Sequence, residues 1–176
     1  MIKFNENEME LFRKMYNIFL SPYNGECVFN FGNYKFAVEL LDFSEESNNF
    51  QLKTFGQIRE LPYVFKFENI NYPIAIIFPK EILQQMNISF ETFIFLLFHE
   101  IGHIINGDQS IDDSTTETEI KADSFSLQQL NFTKDEKEKI CKEFFDGLYN
   151  LVPEKNRYLI KDQIDQRKEM ILKETH

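Results

Sequence analysis

Tryptophan is absent from this chain, histidine occurs three times, cysteine twice, proline five times and glycine six times. The two cysteines, Cys27 and Cys141, lie far apart and form no CxxC pair, so no disulfide framework or redox motif is written here. Two buried thiols in a reducing cytosol are preferred to a disulfide. Basic residues are outnumbered, 19 Lys and Arg against 29 Asp and Glu, for a formal net charge of -10. The lysines and arginines are dispersed among acids, which excludes direct nucleic-acid binding, and no basic amphipathic helix suggests a membrane surface. The run FIFLLF is far too short to span a bilayer. The opening MIKFNENEMEL lacks a basic segment followed by an apolar one, so no signal peptide is expected, and the location expected is cytoplasmic.

What is present fits one domain. The chain has 176 residues, 43% of them hydrophobic, and 20 phenylalanines to fill a core. Met9, Phe12, Met15, Tyr16 and Phe19 recur at helical steps and predict a helix over 5–20. Residues 26–79 are strand-rich, with CVFNF, YKFAVELL, FQLKTF, YVFKF and IAIIF separated by turn-forming clusters, YKFAVELL being open to a helical reading as well. Residues 80–174 read as helical. KEILQQM is a short helix, and Ser89 caps a long one over Phe90–Asn106 that Gly107 ends. Ser114 with Glu117 reads as a capping box for a helix to about Leu130, and Thr133 with Glu136 as another for a helix to about Asn150. Pro153 stands where a last helix would begin. No linker divides the chain.

Behind the apolar run, His99, Glu100, Ile101, Gly102 and His103 spell H-E-x-x-H. On a helix, positions i and i+4 share a face, so both imidazoles can reach one ion. Nitrogen donors at roughly 2.0–2.1 Å suit Zn²⁺. Glu100 lies about 100° further round the helix, beside the ion and not on it, where it can take a proton from a water. The remaining histidine, His176, is remote in sequence, so the third ligand must be a carboxylate or water. The metzincin pattern would need Gly and His where Asn106 and Gln109 stand, which rejects that subclass.

The next helix offers TETEIKAD. Glu119 and Asp123 are i and i+4, so Glu119 can ligate while Asp123 accepts the far N–H of a ligand histidine. Glu117 is the rival ligand, on a nearly opposite face and with a capping role available. Gly102 and Ala122 are small where the two helices must approach. A structural metal held with Cys27 or Cys141 is the second reading, and Mn²⁺ or Fe²⁺ would suit the same N/O donors. Tyr149, Arg157 and Tyr158 are downstream candidates for steadying an oxyanion, with nothing in the spacing to select one.

HEIGH followed by EIKAD resembles the H-E-x-x-H…E-x-x-A-D metallopeptidases with a glutamate ligand, and among them the ImmA/IrrE family of cytoplasmic bacterial and phage proteins. The likeness runs from about Tyr72 to Leu130 and rests on PIAIIFP, FLLFHEIGHIING and EIKADSFSLQQL. Ser126 stands where alanine is common, and no helix-turn-helix module is visible. The resemblance implies a zinc endopeptidase with His99, His103 and Glu119 on the ion, Glu100 as base and Asp123 behind a ligand histidine. It also implies a protein substrate, in particular a helix-turn-helix repressor. A phage-exclusion-type protease acting on a host protein and a metal-stabilised protein that sequesters a partner without cutting it are the alternatives.

The fold class expected is α+β and zincin-like. A small, twisted, mostly antiparallel sheet would pack on the HExxH helix and the glutamate-ligand helix, with IAIIF or a neighbour near the cleft edge, where an extended peptide could add as a strand.

Overall fold

The computed structural model describes residues 21–23, 26–32, 34–41, 57–60, 74–108 and 115–174. The expected helix over 5–20, the strands FQLKTF and YVFKF, and Ser114 lie outside the described residues. The chain divides into two compact units, residues 1–83 and 84–176.

In the first unit the described strands are β1 (Ser21–Tyr23), β2 (Glu26–Phe31), β3 (Tyr34–Leu41), β4 (Gln57–Glu60) and β5 (Ile74–Pro79). Their order is β1-β2-β3-β5-β4. The β3–β5 pair is parallel and the others are antiparallel. Phe36, Ile76 and Phe78 are fully buried. The IAIIF segment is β5, which has β3 on one side and β4 on the other, so its backbone groups are already paired. IAIIF itself therefore offers no edge to a peptide, and among the described strands its neighbour β4 stands at one end of the order.

The helices are α1 (Lys80–Met86), within which the division between units falls, α2 (Phe90–Asn106), α3 (Thr116–Gln129), α4 (Lys134–Leu151) and α5 (Tyr158–Glu174). A 3₁₀ turn, Glu154–Asn156, follows Pro153, which therefore begins that turn and not α5. Three helix starts have a local cause. Ser89 caps α2 through Thr92 N–H. The Glu143 carboxylate then binds the cap itself, accepting from Ser89 N–H at 2.8 Å, from Ser89 Oγ at 2.5 Å and from the Thr92 hydroxyl. Thr133 and Glu136 form the expected box at α4. At α3 the box is Thr115 with Thr118, one residue later than Ser114 with Glu117, because the Thr118 hydroxyl fills the role expected of the glutamate.

The second unit has a helical core. The run Phe93–Phe98 of α2 is buried. The helix packs on α3 and α4, and α5 packs on the same two. Phe95 meets Phe144 edge-on with ring centroids 5.0 Å apart, and Phe144 meets Phe145 at 5.2 Å. Ser126, where the resemblance expects alanine, is fully buried and donates to the Phe95 carbonyl at 2.7 Å, tying α3 to α2.

These observations correct the fold class. The described residues are predominantly helical, and the unit carrying the HEIGH helix shows only helices and no strand among its described residues. The helix pair buries its apolar faces against α4 and α5, so helix-on-helix packing does what the expected α+β, zincin-like sheet layer was to do.

Candidate metal centre

The apolar face of α2 carries His99 inward, leaving it 4% exposed, and His103 follows one turn later at the rim of the core. Four residues past His103 the helix ends on Gly107 in the left-handed region, φ 78°. Gly107 N–H binds the Ile104 carbonyl at 3.1 Å and Asp108 N–H binds the His103 carbonyl at 2.9 Å, a Schellman end. That turn brings the Asp108 carboxylate back to His103 Nδ1 at 2.9 Å.

From α3, Asp123 is fully buried and lies 2.8 Å from His99 Nδ1. A carboxylate only accepts, so each Nδ1 carries a proton, and each ring when neutral presents a lone pair at Nε2. The two Nε2 atoms face each other at 3.1 Å. Glu119, on the same face of α3 as Asp123, completes the group, with Oε2 3.3 Å from His99 Nε2 and Oε1 3.6 Å from His103 Nε2. Gly102 makes this approach feasible, since a Cβ there would stand 3.0 Å from Ala122 Cα.

Three acceptors so placed repel one another unless positive charge lies among them. The protein groups alone answer by pushing the His99 imidazole up to about 10. Burial opposes that charge, and the Asp123 and Glu119 carboxylates outweigh it. The Glu119 carboxyl lies well below its usual range: burial works the other way, and His99, Arg167 and His103 prevail. Asp123 is likewise held down against its burial, chiefly by Arg167 and then His99. Half-buried Glu100 is raised, burial prevailing over the attraction of His99 and His103.

A metal ion fits this donor set. Around a tetrahedral ion with bonds of roughly 2.0–2.1 Å, donor atoms stand roughly 3.3 Å apart; here the two Nε2 atoms are 3.1 Å apart, and each has one Glu119 oxygen nearby, Oε2 at 3.3 Å from His99 and Oε1 at 3.6 Å from His103. His99, His103 and Glu119 are the group that could hold an ion among the described residues. Glu117, the rival, is exposed and pairs with Lys121 at 2.7 Å. Cys141 is a free, buried thiol pushed up to about 12 by burial and is not one of the group, and the Cys27 side chain lies outside what is described.

Two residues of the centre were missed in the sequence. Asp108 carried one local sign, its place directly after the helix-ending glycine. Arg167, on α5, donates from Nε and Nη2 to Asp123 at 2.7 and 2.9 Å, and its Nη1 lies 3.0 Å from Glu119 Oε2. Its sign was a charge at a core position, since Ile164, Arg167 and Ile171 form the buried stripe of α5. Of the oxyanion candidates, Arg157 donates to the Val152 carbonyl, Tyr149 lies beneath Lys168, and Tyr158 is exposed.

No described helix is long and apolar enough to cross a membrane. Comparison with protein-family models, with characterised proteins and with solved structures finds no match to this chain.

Proposed function

We propose that this chain is a zinc-dependent endopeptidase that cleaves a specific cytoplasmic protein. One observation carries the reading: three donor atoms converge at ligand spacing while a carboxylate holds the far nitrogen of each imidazole. A donor set of two imidazoles and one carboxylate leaves a fourth position for water or substrate, as in hydrolytic zinc sites, whereas structural zinc takes four protein ligands.

His99, His103 and Glu119 would hold the ion, which when bound polarises a carbonyl and acidifies water. Glu100 follows His99 directly on α2, so its carboxylate borders the donor group without joining it. From there it takes the proton of the attacking water and returns it to the departing amine. Asp123 and Asp108 keep both imidazoles in the tautomer that offers Nε2.

A folded regulatory protein, in particular a helix-turn-helix repressor, is the substrate implied by the likeness to the ImmA/IrrE family. The net charge of -10 would steer a basic partner towards the chain.

Zinc-replete protein should carry about one zinc per chain. Glu100→Gln should keep fold and metal while losing hydrolysis, because an amide cannot take the proton. Both forms are incubated with a purified helix-turn-helix repressor, taken from the neighbouring gene where one is encoded there, and with unfolded casein, and the products are read by mass spectrometry. Absence of metal, or cleavage by the Gln form at the wild-type rate, would defeat the reading. Rapid casein digestion with the repressor left intact would defeat the substrate assignment. Stable repressor binding without cleavage by either form would favour a sequestering protein.

A further inference from the structure

Among the described residues, Arg167 is the one charged side chain on the buried stripe of α5, and it is 5% exposed. A buried guanidinium is expensive unless every charge around it is matched. Here it reaches two carboxylates from successive turns of α3, with a two-pronged bond to Asp123 and a third contact to Glu119 Oε2. Its plane lies by the rings of Phe144 and Phe145, with Cζ 5.5 and 5.4 Å from their centroids, which limits its swing.

We propose that Arg167 is a positioning residue of the metal centre, fixing Glu119 directly and His99 through Asp123, so that the seating of α5 sets the donor geometry. The inference rests on the metal-centre reading above. His103 is anchored separately, by Asp108 from the end of its own helix. Two of the three donors are therefore referred to one rigid plane that belongs to neither donor helix. With Nη1 3.0 Å from Oε2, the Arg167 guanidinium also competes with any ion for that oxygen, which disfavours ligation by both oxygens of Glu119.

The bland alternative is that Arg167 only neutralises Asp123. The two roles predict opposite signs. A fixed positive charge 3.0 Å from a ligand oxygen repels a cation, so an arginine acting through charge alone weakens metal binding, and its loss would tighten it. A positioning arginine strengthens binding, and its loss weakens it. Lysine separates the two further, because it keeps the charge but has no planar fork to span two carboxylates.

The experiment compares wild type, Arg167→Lys and Arg167→Met, each checked for folding by circular dichroism. Zinc affinity is measured by competition with a chromophoric chelator. Co²⁺ loading supplies a second readout, since its visible bands report the number and arrangement of donors. The expected result is a zinc affinity roughly 10–100-fold weaker in Arg167→Lys, with altered Co²⁺ bands. Wild-type affinity and superimposable bands in the Lys form, or tighter zinc binding in the Met form, overturn the inference alone. Wild-type protein that takes up neither ion overturns the metal-centre reading and this inference with it.

Should the single variants fail to fold, Asp123→Asn with Arg167→Met removes both buried charges together and is compared with Asp123→Asn. A further loss of zinc affinity in the double variant supports a direct hold on Glu119, and equal affinities overturn it.

Discussion

Replacing Gly102 by alanine tests whether the close approach of α2 and α3 holds the donor set together. In an unobstructed helix interior the change would stabilise by about 1 kcal/mol, because glycine loses more backbone freedom on folding. Here the added Cβ would stand 3.0 Å from Ala122 Cα, 3.2 Å from the Ala122 carbonyl oxygen and 3.2 Å from Phe125 Cδ1. Relaxed carbon contacts lie at roughly 3.5–4.0 Å, so the helices must part by about 0.5–1 Å. Two of the three obstructing atoms are backbone and cannot rotate away. Overfilling of this kind costs about 1–3 kcal/mol, and the helical gain leaves a net loss of about 0–2 kcal/mol. For a chain of this size that is a fall in Tm of up to about 8 °C. The metal centre is more sensitive. Displacement of α3 adds directly to the 3.3 and 3.6 Å that separate Glu119 from the two Nε2 atoms. Bonds of roughly 2.0–2.1 Å cannot absorb it, so zinc affinity should fall roughly 10-fold or more, as when an orienting partner is lost. Urea unfolding with and without chelator, together with a chelator-competition titration, measures both quantities. An alanine form that is more stable and binds zinc as tightly as wild type would refute the close-packing argument.

Glu119→Ala should weaken zinc binding more than Asp123→Ala, which should still cost roughly 10–100-fold; the reverse order in a zinc titration would exchange their roles. Asp108→Ala should cost roughly 10-fold, since His103 loses the acceptor that fixes its ring, and unchanged zinc affinity would remove Asp108 from the centre. Glu143→Gln should destabilise the fold by about 1–3 kcal/mol at neutral pH, because three hydrogen bonds at the start of α2 lose their charged acceptor. Burial opposes the charge on Glu143, but the bonds from Ser89 and Thr92 hold its carboxyl below the ordinary value. A folded pKa below the unfolded one means that the stabilisation is present above the unfolded value of about 4.3 and is lost as pH falls through the folded one. The stability difference between wild type and Glu143→Gln should therefore shrink in acid. Chemical denaturation at neutral and acidic pH that shows a growing difference would contradict this.

The site was legible where its causes are local. Helical spacing placed His99 and His103 together, Ser89 and Gly107 bounded their helix, and the i, i+4 rule chose Glu119 over Glu117. The box at α3 was read one residue early because the sequence rule seeks an acid at the third position and a threonine hydroxyl serves instead. The strands at β2 and β5 announced themselves by pattern, whereas YKFAVELL at β3 fits a helix as well as a strand. QIRE at β4 has a single apolar residue and no alternation to betray it. Layering was not legible, since which faces cover the HEIGH helix depends on contacts between distant segments. Arg167 shows the same limit: it lies 44 residues from Asp123, and only burial distinguishes it from the exposed basic residues of α5.

Gly107 is strict about handedness and indifferent to size. A Cβ built on it would meet nothing within 4 Å, yet its φ of 78° costs an ordinary L-residue about 1–2 kcal/mol. The mirror sense of that one turn decides where Asp108 lands, and Asp108 decides which nitrogen of the His103 ring keeps its hydrogen. A substitution that straightened the turn would let the hydrogen migrate to the other nitrogen, and the ring would then face an ion with a donor in place of an electron pair. Backbone chirality at a residue that touches no ligand atom thus governs the chemistry of one that does.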